Sequence, residues 1–462
     1  MVHDAVVRRR TSGASSSAVV TDLMAGYEHL YKVVVKRRCF FKPGRQINRL
    51  GRENLGAFFP AESFMLSSFF SRRRMLALTS GSVLPFVVAP VFAAGSETNR
   101  IVLDLPASPG NPRNSEGSFV TLKDGRIVFA YSRYRGKRID DWADHATADI
   151  AARISDDGGR TWSPDDRILV PNEGACNVMS ASLLRLRDGR IGLFYLRKNG
   201  IRDCRLWMRT SADEAATWTE PVLCIPAPGY FVVNNDRVVQ ISTGRLVVPA
   251  ALHRAKLDLE TWRNDAVDPR GIALFFLSDD DGQTWRESRD WLAFPGKCVS
   301  GLQEPGVVER KDGTLYGWCR TEAGSQYETE SADGGETWSV PRASKFRSPC
   351  SPMSIKRIPV TGGLLAVWND HSKAGEHRQT DWRSSSWGRT PLAVAVSEDD
   401  GKTWLPARDI ETDPDRGFCY TAIHFTEDAV LLAYCCGGGK RGVLQDACIR
   451  RIPLESLRPN QR

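Results

Sequence analysis

The amino-acid sequence predicts an all-β fold: a six-bladed β-propeller that follows an N-terminal export leader. Three observations carry that expectation. A turn of pattern Ser-x-Asp-x-Gly-x-Thr-Trp recurs along the chain, a hairpin pattern recurs in phase with it, and a basic then apolar run precedes both. Self-similarity at a fixed period marks repeat architectures, in which each unit buries its apolar face only against its neighbours.

The turn occurs in full at Ser155–Trp162, Ser278–Trp285, Ser331–Trp338 and Ser397–Trp404. A further copy, Ser211–Trp218, has Ala215 in place of the glycine. The aspartate of each copy can accept backbone N–H groups within a tight turn, glycine permits positive φ, and tryptophan packs the turn on its sheet. The five copies are spaced 53 to 67 residues apart, about one four-stranded unit. They are expected to be structural, including the acidic run Asp279-Asp280-Asp281.

Apolar runs flank turns at Asp124-Gly125, Asp188-Gly189, Thr243-Gly244, Asp312-Gly313, Gly362-Gly363 and Glu427-Asp428. Such flanked turns read as β-hairpins. Six hairpins, five of them followed by a copy of the Ser-x-Asp-x-Gly-x-Thr-Trp turn (an Asp-box), imply six blades of two hairpins each. After the sixth hairpin one strand-like run remains, around Leu444–Ile452. Arg100–Leu105, at the start of the folded region, is expected to supply the missing fourth strand and close the ring.

The leader accounts for the basic charge. Residues 1–94 hold 14 Lys/Arg against 5 Asp/Glu, whereas the remainder holds 49 against 50. The folded region therefore lacks a polyanion-binding signature, and no nucleic-acid partner is expected. Ser71-Arg72-Arg73-Arg74-Met75-Leu76 resembles a twin-arginine export signal, and the apolar stretch Met75–Ala94 ends in small residues suited to signal peptidase. Pro85 and Pro90 interrupt that stretch and argue against a membrane anchor. The expected organisation is an extension at 1–64, disordered or preceding a natural start at Met65, a signal peptide at 65–94, and a propeller at 95–462. Export to the periplasm or the extracellular space follows.

Export permits disulfides. Cys204 and Cys224 lie symmetrically about Glu214 and are candidates to face each other across a hairpin; two buried thiols are the alternative. None of the 11 cysteines forms a CxxC pair or a Cys/His cluster of zinc spacing, so no metal or other cofactor is expected.

In a propeller the innermost strands start at one mouth of the central channel. Eight positions before the first residue of the first five hairpin turns lie Glu116, Ser180, Asn235, Glu304 and Ser354, and eight before Asp428 in the sixth lies Tyr420. Five of the six are polar and the sixth is a tyrosine. With Arg113, Arg237 and Arg320 nearby, the mouth suits an anionic substrate.

At these residues the chain resembles the sialidases, over about residues 100–455. Gln303-Glu304-Pro305-Gly306-Val307-Val308 through Cys319-Arg320 is similar to the sialidase strand pair that carries a glutamate and an arginine sixteen residues apart. Tyr420-Thr421-Ala422-Ile423 resembles the nucleophile strand. The resemblance implies Tyr420 as nucleophile, Glu304 as its base, and Arg113, Arg320 and Arg389 as a carboxylate-binding triad. It places the acid/base aspartate in the loop Arg133–Asp149, with Asp144 first and Asp141 as the alternative. The chemistry suits a sialic acid, whose carboxylate on the anomeric carbon repels an anionic nucleophile but not a neutral phenol.

Two departures stand out. Arg113 sits two residues farther from its turn than the family pattern, and Glu116 adds an acid beside it. Asn234-Asn235-Asp236-Arg237 is also distinctive, and Asn235 and Arg237 join the candidate substrate contacts. The expected activity is a monomeric, retaining exo-α-sialidase-like hydrolase acting on sialylated or other acidic glycans. The alternatives are a non-catalytic glycan-binding propeller, and a hydrolase or lyase of uronate-containing polysaccharide.

Overall fold

Serine, aspartate and threonine side chains close every Asp-box turn through the same bonds. In the first, Ser155 Oγ donates to Asp157 Oδ1 (2.9 Å) and accepts the Gly159 N–H (2.9 Å). Asp157 then accepts the Thr161 N–H (2.9 Å) and hydroxyl (2.7 Å). The copies beginning at Ser211, Ser278, Ser331 and Ser397 repeat this set. Ala215 keeps a left-handed φ of 64° although it is not glycine, held by its N–H bond to Ser211 Oγ. The acidic run is used up structurally: Asp279 pairs with Arg245, Asp280 closes its turn, and Asp281 accepts from Gln240.

The computed structural model describes residues 99–457, apart from 140, 142, 259–262, 374–383 and 440–441. The expected extension, signal peptide and cleavage near Ala94 lie outside the described residues. Apart from a 3₁₀ turn at Leu454–Leu457, the regular structure described is β-strand.

Blade 1 comprises Asn114–Thr121, Ile127–Tyr134, Ala148–Ser155 and Arg167–Val170. Blade 2 comprises Asn177–Arg185, Ile191–Gly200, Asp203–Ser211 and Val222–Leu223. Blade 3 has Val239–Gln240 on the inside, then the long strands Leu246–Asp258 and Arg263–Ser278, then Arg286–Glu287. The short strand Tyr230–Val232 pairs with both Asp203–Ser211 and Leu246–Asp258, and joins blades 2 and 3 into one nine-stranded sheet. Blade 4 is Gln303–Glu309, Leu315–Arg320, Ser325–Ser331 and Arg342–Arg347; blade 5 is Ser354–Arg357, Leu364–Asn369, Leu392–Ser397 and Arg408–Glu411. In blade 6, Cys419–Phe425, Ala429–Cys435 and Ala447–Pro453 are completed by Arg100–Leu105, which pairs antiparallel with Ala447–Pro453.

The core sits between blades. One apolar cluster joins blade 1 to blade 2 through Val128, Ile150, Leu183 and Leu193, and another joins blade 6 to blade 1 through Phe119, Phe129, Leu431 and Ile449. Clusters in the other four junctions complete the circuit. This circuit is consistent with six blades. Polar latches reinforce it at the rim: Glu214 of blade 2 accepts the Lys123 N–H of blade 1, and Asp400 of blade 5 that of Lys311 in blade 4.

Cys204 and Cys224 are both buried free thiols. Trp207 lies opposite Leu223 and Met208 opposite Val222, so the hairpin is centred one residue beyond Glu214, and Cys224 bonds to Leu206 instead of meeting Cys204.

Across the channel, Asp236 of blade 3 accepts from Ser118 Oγ of blade 1 (2.9 Å), Lys356 Nζ of blade 5 (3.0 Å) and the Ile423 N–H of blade 6 (3.0 Å). Hydrogen bonds to a charged group are worth about 1.5–3 kcal/mol each, so Asp236→Ala is expected to cost about 3 kcal/mol or more in denaturant titration. A loss below about 1 kcal/mol would mean the blades hold without this tie.

Hydrogen bonds from Thr217 and Thr403 hold the Asp213 and Asp399 carboxyls at about 2. A carboxyl depressed below its unfolded value of ~3.9 stabilises the fold above that value and loses the contribution as pH falls through the folded one. The melting temperature should therefore fall between pH ~4 and pH ~2, and less steeply in Asp399→Asn. Thermal melts across that interval test it; a flat profile contradicts it.

Candidate active site

Near the start of four inner strands the backbone turns left-handed, at Glu116 (φ 58°), Ser180 (φ 57°), Glu304 (φ 43°) and Tyr420 (φ 59°). The strand register slips at each of them. Such bulges re-aim a side chain, and a left-handed non-glycine residue costs roughly 1–2 kcal/mol. In blade 3 the left-handed residue is Asp236, not Asn235. Asn235 instead donates through Nδ2 to the Gly117 and Tyr420 carbonyls.

The bulges of blades 4 and 6 bring Glu304 and Tyr420 together. Tyr420 Oη lies 3.0 Å from Glu304 Oε1, and Arg320 Nη1 lies 2.7 Å from the same oxygen and 3.4 Å from Tyr420 Oη. Arg320 is the last residue of its strand, opposite Gln303 in the ladder, which sets the pairing. Burial pushes the Tyr420 phenol well above its ordinary pKa, and the Glu304 charge adds to this against Arg320 and Arg389. Burial also works to raise Glu304, but Arg320, and then Arg389, outweigh it and hold the carboxyl below the ordinary range. The pair is thus a neutral phenol bonded to a carboxylate.

Arg389 lies with its guanidinium 5.5 Å from the centroids of both the Tyr420 and Trp387 rings, and its Nη1 is 3.0 Å from Cys419 Sγ. Burial disfavours the Cys419 thiolate, yet the bond from Cys435 and the charge of Arg389 bring the thiol below its ordinary range.

Glu304, Arg320, Arg389, Tyr420 and Asp144 line one pocket of ≈ 460 Å³. Arg113 does not line it. Its guanidinium is fully buried, stacked 4.5 Å over the Tyr134 ring, with Nη1 on Asp144 (2.6 Å) and Nη2 on Glu116 (3.0 Å). Asp144 therefore stands between Arg113 and the pocket, with 58 % of its side chain exposed. Partial desolvation by the surrounding loop works to raise Asp144, but Arg113, and then Lys198, hold its carboxyl below the ordinary range. Glu116 bonds to Ser180 as well as Arg113, and burial pushes its carboxyl up against the pull of Arg113.

Asp141 is absent from the pocket wall: its carboxylate accepts the Arg138 N–H at 3.0 Å and braces its own loop. Arg237 is likewise outside, bonded to Ser354 Oγ and the Met353 carbonyl, where burial brings its guanidinium down to about 10. Asn235 and Arg237 thus join blades.

Tyr230, His253, Asp268 and Trp387 complete much of the wall and were not expected from the sequence. Tyr230 belongs to the strand joining blades 2 and 3, and His253 to a strand whose hairpin continues past the blade. Neither sits at a counted distance from a turn.

The BNR repeat-like domain family matches residues 141–432. The anhydrosialidase of Macrobdella decora is 27% identical over 283 residues, which cover 54% of this chain and 34% of that protein. The chain thus spans about a third of that relative's length. Among solved structures, a protein of unknown function from Dyadobacter fermentans aligns with TM-score 0.58 and 19% identity, over 77% of this chain and 99% of that one. The NanB sialidase of Streptococcus pneumoniae aligns with TM-score 0.57 and 15% identity, over 79% and 72%. A leech intramolecular trans-sialidase aligns with TM-score 0.57 and 16% identity, over 78% and 71%. At such identities the structural likeness establishes the all-β propeller fold alone.

The buried pair and the phenol differ in what their removal leaves behind. Tyr420→Phe removes one hydrogen bond and is expected to cost about 1 kcal/mol. Glu304→Ala leaves Arg320 buried without its counter-ion and is expected to cost about 3–5 kcal/mol. Equal losses in chemical denaturation would refute this ordering.

Proposed function

The chain belongs to the sialidase-like BNR-repeat superfamily, and from that membership we propose that it is a retaining exo-glycoside hydrolase releasing sialic acid or a related acidic sugar. The observation that carries the proposal is the contact of Tyr420 Oη with Glu304 beside Arg320 and Arg389, in a pocket whose wall includes Asp144. Arg320 and Arg389 would hold the substrate carboxylate. The Tyr420 oxygen attacks the anomeric carbon as its proton passes to Glu304, and Asp144 gives a proton to the departing oxygen. Water then displaces Tyr420 from the sugar, losing a proton to Asp144 as Glu304 returns one to the phenolate. Two displacements at one carbon retain configuration.

The burial of Arg113 behind Asp144 and Glu116 favours a second reading of the substrate. With two arginines on the wall, the anion grip also suits a uronate. Export through residues 65–94 would bring the enzyme to acidic glycans as a monomer, without a cofactor.

Turnover on a panel of sialosides and uronosides, with NMR of the released anomer, tests the proposal. Tyr420→Phe is expected to lose turnover by orders of magnitude while still binding the acidic sugar, and Arg320→Ala to weaken binding. Wild-type turnover in Tyr420→Phe removes tyrosine catalysis.

The pH profile offers a separate check. The acid must be protonated, and in the free enzyme Arg113 depresses Asp144. A bound substrate carboxylate raises a neighbouring carboxyl. The basic limb of kcat should therefore lie at higher pH than that of kcat/KM; coincident limbs contradict it.

A further inference from the structure

A second cavity of ≈ 770 Å³ opens beside the first and is the larger of the two. Tyr230, His253 and Asp268 line both. It exists because the hairpin Leu246–Asp258/Arg263–Ser278, with the longest strands described, continues beyond its blade. Leu252, Ile272 and Phe294 give it an apolar side. Arg202, Arg254 and Arg270 line it as well, against one acid, Asp268. Asp268 is bonded by Arg270 (2.7 Å) and approached by Arg254 (3.6 Å). Arg202 makes no ion pair among the described residues. Burial disfavours the charged form of His253 and lowers its pKa.

Asp144 is tied to the partition between the cavities. Lys198 Nζ donates to the Asp144 carbonyl (3.1 Å) and to Tyr230 Oη (2.9 Å). In the proposed reaction Asp144 faces the glycosidic oxygen, so the leaving group extends from Asp144 past Tyr230 into the larger cavity. We infer that this cavity is a leaving-group subsite for a second, acidic sugar, so that the substrate is a saccharide whose released acidic residue is linked to another anionic residue. The inference rests on the proposed hydrolase reading. An apolar side receives the C–H face of a pyranose, and the arginines receive its carboxylate or sulfate. A volume of this size holds one to two sugar rings.

The test uses full-length protein and three substrates with the same released sugar, linked to a neutral disaccharide, to a uronate-containing disaccharide or to an aryl alcohol. The expected result is a kcat/KM for the uronate-linked substrate roughly tenfold above the neutral one, the scale of two partly exposed ion pairs. Added salt should shrink the ratio, and Arg202→Ala/Arg254→Ala should bring it toward one. Equal values for the neutral and uronate-linked substrates overturn the inference and leave the hydrolase reading standing. Absence of turnover on all three overturns the hydrolase reading. Calorimetry with the uronate-containing disaccharide alone then decides the subsite: binding lost in the double variant supports it, and no binding by the wild type overturns it.

Discussion

At Glu116, Ser180, Glu304 and Tyr420 the chain adopts a conformation that L-residues avoid, and the pocket depends on it. An unbroken strand start would send alternate side chains to the two faces of its own blade. The bulge instead turns one polar side chain per strand out of that alternation. Glu304 and Tyr420 belong to blades 4 and 6 yet meet at 3.0 Å. Glu116 and Ser180, from adjacent blades, meet at 2.8 Å. The strain is offset by interblade burial, which over-determines the backbone, as is common where strain serves a site.

The charges are arranged in two layers. Outermost lie Arg320, Arg389, Glu304 and Asp144 on the pocket wall. Behind them, Arg113, Glu116 and Ser180 form a buried set whose members satisfy one another. Buried ions are costly unless paired, which explains why Arg113 is stacked and doubly bonded. Asp144 joins the layers: one oxygen rests on Arg113 while much of the side chain faces solvent. Farther along the channel, Asp236 gathers donors from blades 1, 5 and 6, so the charge that stabilises the ring is separate from the charge that lines the pocket.

The propeller was legible in the sequence because its determinants are local. Ser155, Asp157 and Thr161 lie within one turn and bond to one another, so their spacing announces the turn wherever it recurs. Hairpins are announced similarly, and the fourth strand of blade 6 followed from counting them. Glu304 was legible because it stands at the repeated distance from its turn, and Tyr420 because it stands within one residue of that distance. The same counting selected Asn235, one residue before the left-handed Asp236, because the inner strand of blade 3 is shortened to Val239–Gln240.

Local pattern specified the strand pairs, their turns, the closing strand and, in blades 1, 2, 4 and 6, the inner-strand positions where the backbone turns left-handed. These follow from short-range hydrogen bonding and from a side-chain period of two. Which charges share a pocket depends on how the blades assemble. Asp144, the first of the two loop aspartates expected, lies on the pocket wall against the Arg113 guanidinium, whereas Asp141 turns back on the Arg138 N–H. Arg113 was withdrawn behind Asp144, and Tyr230, His253 and Asp268 were brought in from an elongated hairpin and a joining strand. Those outcomes depend on distances between blades and on the cost of burying an ion, and neither is written in the spacing of one chain segment.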